Sequence, residues 1–473
     1  MGTRKLLAAL FSAMFIASSC AGGATPSPSA AQSAAGSGTP AATASAAPAP
    51  IELTLLEYQQ LRIDALKKVL PDFEAQMAAA GKNVKVKLIE NVSNDQEIQT
   101  KITLDYSTGN AADVNEYGAA WVPDFAAAGY LLDLTDRLKA WADWEGHFFK
   151  VIRDRTVDKN GKIWWVPNGA TYLMLFYRKD VLVANGIDTT QPKTWDELIS
   201  RMKALQAKLG DCKGGDGKCA IMYPAGTAWG GGSFDEGWVH VFLGTGGKLY
   251  DDATGKWIVR SKQLTDSFGF YKQMVDNKMF PTKPLLNPNP WEPTKYKAFT
   301  EGRLAVTTQG SWGWVYDWGP TGAKPIPDLM NAVSTWEFPT EDGSPPFVWA
   351  AESHTWTVTA KTKHPDEAFA LVQFLTTGKA AATYAAAVGD LAARDDLATV
   401  APYSDLPVLV KGLDYLKTGK SFVYPIGIAK IQEAIAKATE DVINGKMDGA
   451  AAAEEFAKIA TDGLGADKVE NAP

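Results

Sequence analysis

Residues 51–77 read IELTLLEYQQLRIDALKKVLPDFEAQM, and the period of their apolar residues changes within this stretch. Ile51, Leu53 and Leu55 alternate with polar residues, which predicts a strand that buries one face. The apolar residues that follow recur at helical spacing, at Leu66, Val69, Leu70, Phe73 and Met77. This stretch therefore predicts a strand followed directly by a helix.

The pattern continues toward the C-terminus as β-α-β-α-β. Residues 84–88 alternate as a second strand, residues 93–96 (Ser-Asn-Asp-Gln) fit a capping box before a second helix, and a third strand begins at Asp113-Val114. Strands that alternate with helices form a mainly parallel sheet with helices on both faces. The sequence therefore predicts an α/β fold.

A second α/β unit begins after residue 170. Residues 173–177 alternate as a strand, and residues 194–197 (Thr-Trp-Asp-Glu) predict the start of a helix. Further helices are predicted to begin near Pro365 and Ile428. Ligands of such sheets bind beyond the carboxyl ends of the strands, so two facing units would form a cleft there.

The composition excludes several classes of protein. The chain has 473 residues and a formal charge of −7 without a basic stripe, which argues against a nucleic-acid partner. A content of 46% hydrophobic and 21% charged residues is typical of a globular protein and excludes wholesale disorder. Apolar runs stay shorter than the roughly 18 residues that a membrane span needs.

Residues 1–20 are predicted to be a lipoprotein signal peptide. Arg4 and Lys5 precede a short apolar stretch, and Cys20 follows small residues as in a lipobox, whose Cys becomes acylated. A plain signal peptide with an incidental Cys is the alternative. Residues 21–50 contain only Ala, Gly, Ser, Thr, Pro and one Gln, which predicts a flexible linker.

The other two cysteines, Cys212 and Cys219, enclose a Gly-rich loop. A short-loop disulfide is expected for an exported protein. A zinc site is the alternative, although no further ligands lie nearby in the sequence.

Catalytic motifs are incomplete in this chain. Residues 418–421 (Thr-Gly-Lys-Ser) lack the upstream glycine of a P-loop, because position 414 is Asp. Neither Ser233 nor Ser311 completes a Gly-x-Ser-x-Gly motif, and the four histidines show no metal-ligand spacing. The motifs therefore demand no enzyme, although they leave one open, and the sequence predicts no metal site and no cofactor.

The 16 tryptophans are more than core packing predicts for this length. Several lie beside glycines, as in residues 229–233 and 310–314. An indole beside Gly in a loop is expected to face a ligand, and the apolar face of a sugar suits such a ring. A position in the core is the alternative for each Trp.

Several short motifs follow one another in a fixed order over residues 51–473. They are GNAADV (109–114), GYLLDLT (129–135), GKIWWVP (161–167), LFYRKD (175–180), PKTWDEL (192–198), GGKLYD (246–251), GSW (310–312) and GDLAAR (389–394). In this order, after a lipobox, the chain resembles the family 1 extracellular solute-binding proteins of ABC importers, the group that contains maltose-binding protein. Ala392 departs from the Pro that the family often has there.

The resemblance implies a two-lobed α/β fold like that of periplasmic binding proteins, with type II topology. The N-terminal lobe would hold residues 51–165 and 333–385, and the C-terminal lobe residues 168–330 and 390–473. The hinge would run through Pro167-Asn168 and Val333-Ser334. Proteins of this family capture a solute by closing the lobes and deliver it to a permease, without catalytic residues.

The resemblance also implies a set of ligand-binding residues by their positions in the family's segments. They are Tyr58, Gln59, Glu116, Tyr117, Tyr172, Trp229, Asp235, Trp238, Trp312, Trp314, Glu352, Ser353 and His354.

We therefore expect a monomeric lipoprotein that binds a carbohydrate, with an oligosaccharide as the expected ligand, outside the cytoplasm. Its lipid anchor would be its only attachment to the membrane, and its partners would be the transmembrane subunits of an ABC permease. One alternative is the same fold with a non-sugar solute, such as a polyamine or a phosphodiester. Another is a secreted glycoside hydrolase with a Glu/Asp pair.

Overall fold

The structure is a computed structural model that describes residues 49–472. Cys20, the predicted signal peptide and nearly all of the predicted linker lie outside the described residues. Among the helices that the structure does describe, none is both long enough and apolar enough for a membrane span.

Strands and helices alternate along the described chain. The strands are β1 (Ile51–Glu57), β2 (Val84–Glu90), β3 (Val114–Tyr117), β4 (Trp165–Pro167), β5 (Ala170–Arg178), β6 (Cys219–Met222), β7 (Tyr250–Asp251), β8 (Lys256–Arg260), β9 (Leu304–Gly310), β10 (Val333–Trp336), β11 (Trp349–Glu352), β12 (Thr355–Val358) and β13 (Val469–Asn471).

The α-helices are α1 (Gln60–Ala79), α2 (Asp95–Thr108), α3 (Val122–Ala127), α4 (Thr135–Lys139), α5 (Ala142–Gly146), α6 (Lys150–Thr156), α7 (Lys179–Ala184), α8 (Trp195–Leu209), α9 (Val239–Gly244), α10 (Lys262–Asp276), α11 (Thr282–Leu285), α12 (Leu329–Ala332), α13 (Pro365–Leu375), α14 (Gly378–Val388), α15 (Pro407–Thr418), α16 (Ile428–Ile443) and α17 (Gly449–Leu464). Short 3₁₀ segments occur between them, and Ser233–Trp238 and Thr294–Phe299 are π-helical.

The first strand and helix form as their apolar pattern predicts. The five apolar residues at helical spacing in α1 are all buried, from Leu66 to Met77. The capping box of α2 lies one residue later than predicted: the Asn94 side chain accepts from the Glu97 N–H, and the Glu97 side chain accepts from the Asn94 N–H. Asn94 and Glu97 have the three-residue spacing and the side-chain acceptors that a capping box needs, one residue after the pair that the sequence pattern suggested.

The first lobe is built around a five-stranded sheet with the order β2-β1-β3-β12-β4. β1 pairs in parallel with β2 and β3, and β12 runs antiparallel between β3 and β4. The carboxyl ends of β1, β3 and β4 therefore lie at the same edge of the sheet, where β12 begins.

The second lobe contains the sheet β10-β5-β9-β6, with β11 also paired to β5. β9 runs antiparallel to β5 and parallel to β6, so β9 and β6 end near the place where β5 begins. A small sheet with the order β13-β8-β7 lies elsewhere in the described chain. Helices and two main sheets in this arrangement confirm the predicted α/β fold.

The chain passes from the first sheet to the second at Asn168 and Gly169, between β4 and β5. The predicted crossing at Val333-Ser334 is wrong, because β10 and β11 both pair with β5 in the second sheet. The chain returns to the first sheet only between Glu352 and Thr355. These short apolar strands pair with residues more than 150 positions away in sequence. Local periodicity does not indicate such partners, so it does not predict which sheet the strands join. The remaining lobe boundaries stay a prediction.

Three strand-like passages lie side by side at the crossings. The Asn168 N–H donates to the His354 carbonyl at 3.1 Å, and the Ser353 N–H donates to the Gly169 carbonyl at 3.1 Å. Ala170 exchanges two backbone hydrogen bonds with Leu391, which begins the last passage between the lobes. Three adjacent connections of this kind form a hinge between two lobes.

The predicted disulfide between Cys212 and Cys219 is confirmed. Cys219 is the first residue of β6 and pairs with Leu304, the first residue of β9. The disulfide therefore lies at the edge of the second sheet opposite to the one that faces the hinge.

Candidate functional site

The loops that follow several strands of both sheets collect at the hinge. Tyr58 follows β1 and Gly118 follows β3 in the first lobe, while residues 223–238 follow β6 and Ser311 follows β9 in the second. Ligands of α/β sheets bind at such carboxyl edges. This region holds most of the predicted ligand-binding residues.

Arg62 is the centre of a buried polar cluster in the first lobe, although the sequence analysis did not single it out. Its Nη2 donates to Asp390 Oδ2 and to Ser353 Oγ, both at 3.0 Å, and its Nε donates to Gln59 Oε1 at 2.8 Å. Its Nη1 lies 3.5 Å from Glu116 Oε1. The guanidinium thereby connects α1, the end of β3 and two passages of the hinge.

Glu116 and His354 extend this cluster to the first crossing. The Asn168 side-chain amide donates to Glu116 Oε1 at 2.7 Å, and His354 Nδ1 lies 2.6 Å from the same oxygen. The His354 ring stacks on Tyr58 with ring centroids 5.8 Å apart. These contacts bring five of the predicted residues together: Tyr58, Gln59, Glu116, Ser353 and His354.

Glu57, the last residue of β1, lies beneath this cluster and is fully buried. Burial and, to a lesser extent, the nearby Glu116 carboxylate raise the pKa of its carboxyl to about 8, although Arg62 opposes both effects. The backbone N–H groups of Tyr58 and Gln59 donate to its Oε1 at 2.8 and 2.9 Å. At neutral pH this carboxyl is therefore mostly protonated.

Asp235 lies in the second lobe, in the π-helical segment after β6. Tyr424 donates its hydroxyl to Asp235 Oδ1 at 2.6 Å, and the Gln432 amide donates to Oδ2 at 2.8 Å. Burial raises the pKa of Asp235 to about 7, although the hydrogen bond from Tyr424 and the charge of Arg155 oppose the shift. Gln432 is on α16, so this carboxyl connects two elements of the second lobe.

Glu352 is linked to Asp235 through Arg155 and Tyr424. Arg155 Nη2 donates to Glu352 Oε1 at 3.0 Å, and the two side chains form a second contact through Nε and Oε2. The Arg155 guanidinium lies 4.7 Å from the centroid of the Tyr424 ring. A continuous series of side-chain contacts therefore leads from the end of β11 to the π-helical segment of the second lobe.

Trp312 lies just after β9, beside the last passage of the hinge. A Cβ at Gly389 would come 3.3 Å from the Trp312 Cα, and the next residue, Asp390, binds Arg62. A Cβ at Gly310 would lie 1.9 Å from the indole ring of Trp312. The neighbouring glycine thus makes room for a ring that folds back over the backbone, and the Trp312 side chain remains partly exposed.

Trp314, two residues after Trp312, forms a buried pair with Tyr172. Trp314 Nε1 donates to the Tyr172 hydroxyl at 2.7 Å, and the indole packs on Phe176 with ring centroids 5.1 Å apart. Both side chains are buried. In this arrangement they support the strand ends around Trp312.

The remaining predicted residues lie deeper in the two lobes. Trp229 is buried between Trp291 and Lys295, and within the described chain its Nε1 has no acceptor. Tyr117 is buried against Trp121, with ring centroids 5.7 Å apart.

Trp238 is fully buried and is not brought to the hinge cluster. Its indole packs among Phe234, Phe242, Phe268 and Phe456 in the core of the second lobe. This packing favours the core alternative for Trp238 over the ligand contact that the sequence analysis predicted.

Several residues of the site were missed by the sequence analysis. Arg62, Arg155 and Gln432 are polar residues within helical segments, where one sequence gives no signal that separates them from a solvated face. Trp121 could have been found, because it follows β3 after a Gly-Ala-Ala turn and remains partly exposed.

Among the residues that the structure describes, one group of side chains has the spacing of metal ligands. His147, Asp395 and Asp396 offer ligand atoms within 4.8 Å of one another. Arg394 already donates to Asp396 at 2.6 and 2.9 Å, so a cation there would compete with a guanidinium. We therefore assign no metal to this group.

Comparison with protein families gives one match over most of the chain. Residues 69–410 match the model of the bacterial extracellular solute-binding proteins. Among curated proteins, putative binding proteins of Brucella abortus and Brucella suis are 28% identical to this chain over 158 residues. The match covers 33% of this chain and 36% of the length of those relatives.

Solved structures share the fold at low sequence identity. The sugar-binding protein MalE of Xanthomonas citri is 19% identical, with a TM-score of 0.69 over 87% of this chain and 97% of its own. The GacH receptor of Streptomyces glaucescens, solved unliganded and with acarbose, is 18% identical, with a TM-score of 0.69 over 88% and 99%. The cyclic alpha-maltosyl-1,6-maltose binding protein of Arthrobacter globiformis is 17% identical, with a TM-score of 0.68 over 88% and 99%. These likenesses confirm the predicted two-lobed fold.

Proposed function

The chain belongs to the bacterial extracellular solute-binding protein family, and from that premise we propose that it captures a carbohydrate between its two lobes. Members of this family bind solutes and are not enzymes, so the alternative of a glycoside hydrolase is set aside. The solute would lie at the facing carboxyl edges of the two sheets.

The observation that carries this proposal is the set of contacts that joins the two strand edges. In the first lobe, Arg62 forms an ion pair with Glu116 and donates a hydrogen bond to Ser353. In the second lobe, Tyr424 donates a hydrogen bond to Asp235. Arg155 and Glu352 connect the two sides. Carboxylates, amides and hydroxyls of this kind can accept from and donate to the hydroxyl groups of a sugar.

Aromatic rings accompany these polar groups, as a sugar ligand requires. Trp312 and Trp121 are both partly exposed next to the strand ends of their lobes. An indole provides a flat apolar surface for the C–H face of a sugar ring. The family relationship and three sugar-binding neighbours of similar fold support the same class of ligand.

An anionic solute fits this site poorly. In the part of the chain that the structure describes, buried cations near the strand edges contact carboxylates: Arg62 with Asp390, Arg155 with Glu352, and Lys295 with Glu236. An anion would have to displace a carboxylate from a buried pair, which is costly. This charge pattern supports a neutral sugar over a phosphodiester.

Delivery to a membrane permease follows from the role of the family in ABC import. The lobes would close about the hinge when the solute binds, and the permease would recognise the closed form. We further propose that Cys20 carries a lipid anchor and that residues 21–50 provide reach between the anchor and the folded part. The protein would then act as a monomer outside the cytoplasm.

A thermal-shift screen tests the proposed class of solute. The full chain is heated with neutral mono- and oligosaccharides, uronic acids, a polyamine and inorganic phosphate in separate wells. A rise in melting temperature with a neutral sugar supports the proposal, because a ligand that binds only the folded state stabilises it. A rise with the polyamine or phosphate alone would contradict it.

A further inference from the structure

We infer that Asp124 is a positioning residue for closure: its carboxylate, carried by the first lobe, accepts from the amino end of α16 in the second lobe and favours the closed arrangement. This inference deepens the proposed function and rests on it, since only a protein that opens and closes around a solute has such an equilibrium.

The contact joins segments that are far apart in sequence. The Gly427 N–H donates to Asp124 Oδ1 at 3.1 Å, across 303 residues. Gly427 is the residue that caps the amino end of α16, whose first N–H groups have no partner within the helix. An acceptor from the other lobe therefore satisfies a donor that has no acceptor within its own helix.

The Asp124 side of the contact is fixed within the first lobe. Its neighbours Val122 and Phe125 are buried, and the Phe125 ring packs on Tyr117 and Tyr106. The half-buried Asp124 carboxyl is thus held on α3 at the surface that faces the second lobe.

The Gly427 side is fixed within the second lobe. Gly427 has φ +90°, and a Cβ at this position would lie 2.4 Å from the Leu464 side chain on α17. The preceding carbonyl of Ile426 accepts from Trp257 Nε1 on β8 at 3.0 Å. The amide therefore has little freedom to follow Asp124 when the lobes separate.

Because each partner is anchored in its own lobe, the bond forms only when the lobes approach each other. The segment Ala119–Trp121 also packs against α16, which places this bond within a wider contact between the lobes. A bond made on closure slows release of the solute and leaves its entry unchanged.

The contact depends on the oxygen acceptor of Asp124 more than on the negative charge of its carboxylate. Burial raises the pKa of the Asp124 carboxyl, although the Gly427 N–H and Lys430 both oppose the shift. An Asn side chain would offer the same carbonyl oxygen without the cost of burying a charge. We therefore expect Asp124→Asn to retain closure and Asp124→Ala to lose it.

The experiment measures the distance between the lobes in the sugar-free full chain. Nitroxide labels are placed on Leu104→Cys in α2 and Met330→Cys in α12, both exposed sites, in a Cys20→Ala background in which Cys212 and Cys219 are paired. Pulsed electron resonance then gives the distribution of separations for the parent, Asp124→Ala, Asp124→Asn and the control Asp72→Ala. Asp72 is an exposed carboxylate on α1 of the same lobe.

We expect a fraction of the sugar-free parent to show the separation of this structure, because solute binding shifts an existing equilibrium toward the closed form. Asp124→Ala should lose this fraction to longer separations, and Asp124→Asn and Asp72→Ala should keep it. For the best sugar of the thermal-shift screen, Asp124→Ala should dissociate roughly three- to tenfold faster at an unchanged association rate, as the loss of one hydrogen bond implies. A parent that lacks this separation, or the same distribution in Asp124→Ala, would overturn the inference.

An equal shift in Asp72→Ala would overturn it as well, because the effect would not be specific to the contact. The distance measurement needs no sugar. A screen without a sugar hit would therefore refute the proposed function but not the closure contact. An unchanged distance distribution in Asp124→Ala would refute the closure contact but not the proposed function.

Discussion

Arg62 Nη2 donates a hydrogen bond to Asp390 Oδ2 at 3.0 Å, although 328 residues separate the two in sequence. Arg62 belongs to the first helix, and Asp390 precedes the last passage of the chain into the second lobe. Both side chains are buried. This ion pair therefore connects the first helix of the first lobe to the hinge, between two residues that are far apart in sequence.

Removing this buried cation should destabilise the fold strongly. Arg62→Met leaves Asp390 and Glu116 as buried carboxylates without their cation, which typically costs about 3–5 kcal/mol. Urea unfolding measures the loss, and Lys67→Met is the matched control. Lys67 pairs with Glu90 on the surface, where an ion pair contributes at most about 1 kcal/mol. Equal losses in the two variants would contradict a special role for Arg62.

The stability of the protein should fall as pH rises between about 5 and 8. Glu57 ionises near pH 4.5 in its ordinary state and near pH 8 in the fold, so in this window the folded state keeps a proton that the unfolded state has lost. The free energy of unfolding therefore decreases with rising pH until both states are ionised.

The variant Glu57→Gln isolates the contribution of this group. Gln keeps an acceptor for the Tyr58 and Gln59 N–H groups but does not titrate. Urea unfolding at several pH values measures how the free energy of unfolding changes with pH, and this slope should be shallower for the variant. The variant should keep the contribution of Asp235 to the slope up to about pH 7. The same slope in parent and variant would show that Glu57 is not protonated in the fold.

Trp312 and Trp238 should respond in opposite ways to truncation. Trp312→Ala removes a partly exposed ring at the strand edge and should lower sugar affinity by about 1–3 kcal/mol with a smaller effect on stability. Trp238→Ala leaves a cavity among four Phe rings and should cost about 3–5 kcal/mol of stability. Calorimetric titration and urea unfolding on both variants measure the two effects. Lost stability with normal affinity in Trp312→Ala would reassign that ring to the core.

Cys20 should determine whether the protein stays with the membrane. Cys20→Ala removes the thiol that acylation requires, and the protein should move from the membrane fraction to the soluble fraction of its host cells. A substitution in the linker, Ser29→Ala, is the control and should leave the distribution unchanged. Membrane retention of Cys20→Ala would refute the anchor.

Local features of the fold were predictable from the sequence because their causes are local. The switch of apolar period after Glu57 and the burial of Leu66 and Phe73 follow from side-chain spacing alone. The disulfide could also be predicted from the sequence, because only six residues separate Cys212 from Cys219. The shift of the α2 cap from Ser93 to Asn94 shows the limit of such patterns when two adjacent residues can both cap a helix.

The site was less predictable because its contacts are between distant residues. Position in the family's segments predicts Glu116, Asp235 and His354 as ligand-binding residues, and this stays a prediction. Their partners Arg62, Tyr424 and Asn168 come from other segments and carry no motif. Trp238 and Trp312 both lie near glycines in the sequence, and only the packing of the rings distinguishes a core residue from an exposed one. The second crossing of the chain between the lobes was misplaced for the same reason, because local periodicity does not indicate which strands pair with each other.

The central claim is that a neutral carbohydrate binds between the lobes, and isothermal titration calorimetry tests it most directly. The parent chain and Asp235→Ala are each titrated with the best sugar of the thermal-shift screen. Asp235 accepts side-chain hydrogen bonds from Tyr424 and Gln432, and the remaining lone pairs of its carboxyl oxygens can accept from sugar hydroxyls. We predict saturable binding of one sugar per chain to the parent and at least about tenfold weaker binding to the variant. Absence of heat with every neutral sugar, or the same affinity in both proteins, would contradict the account.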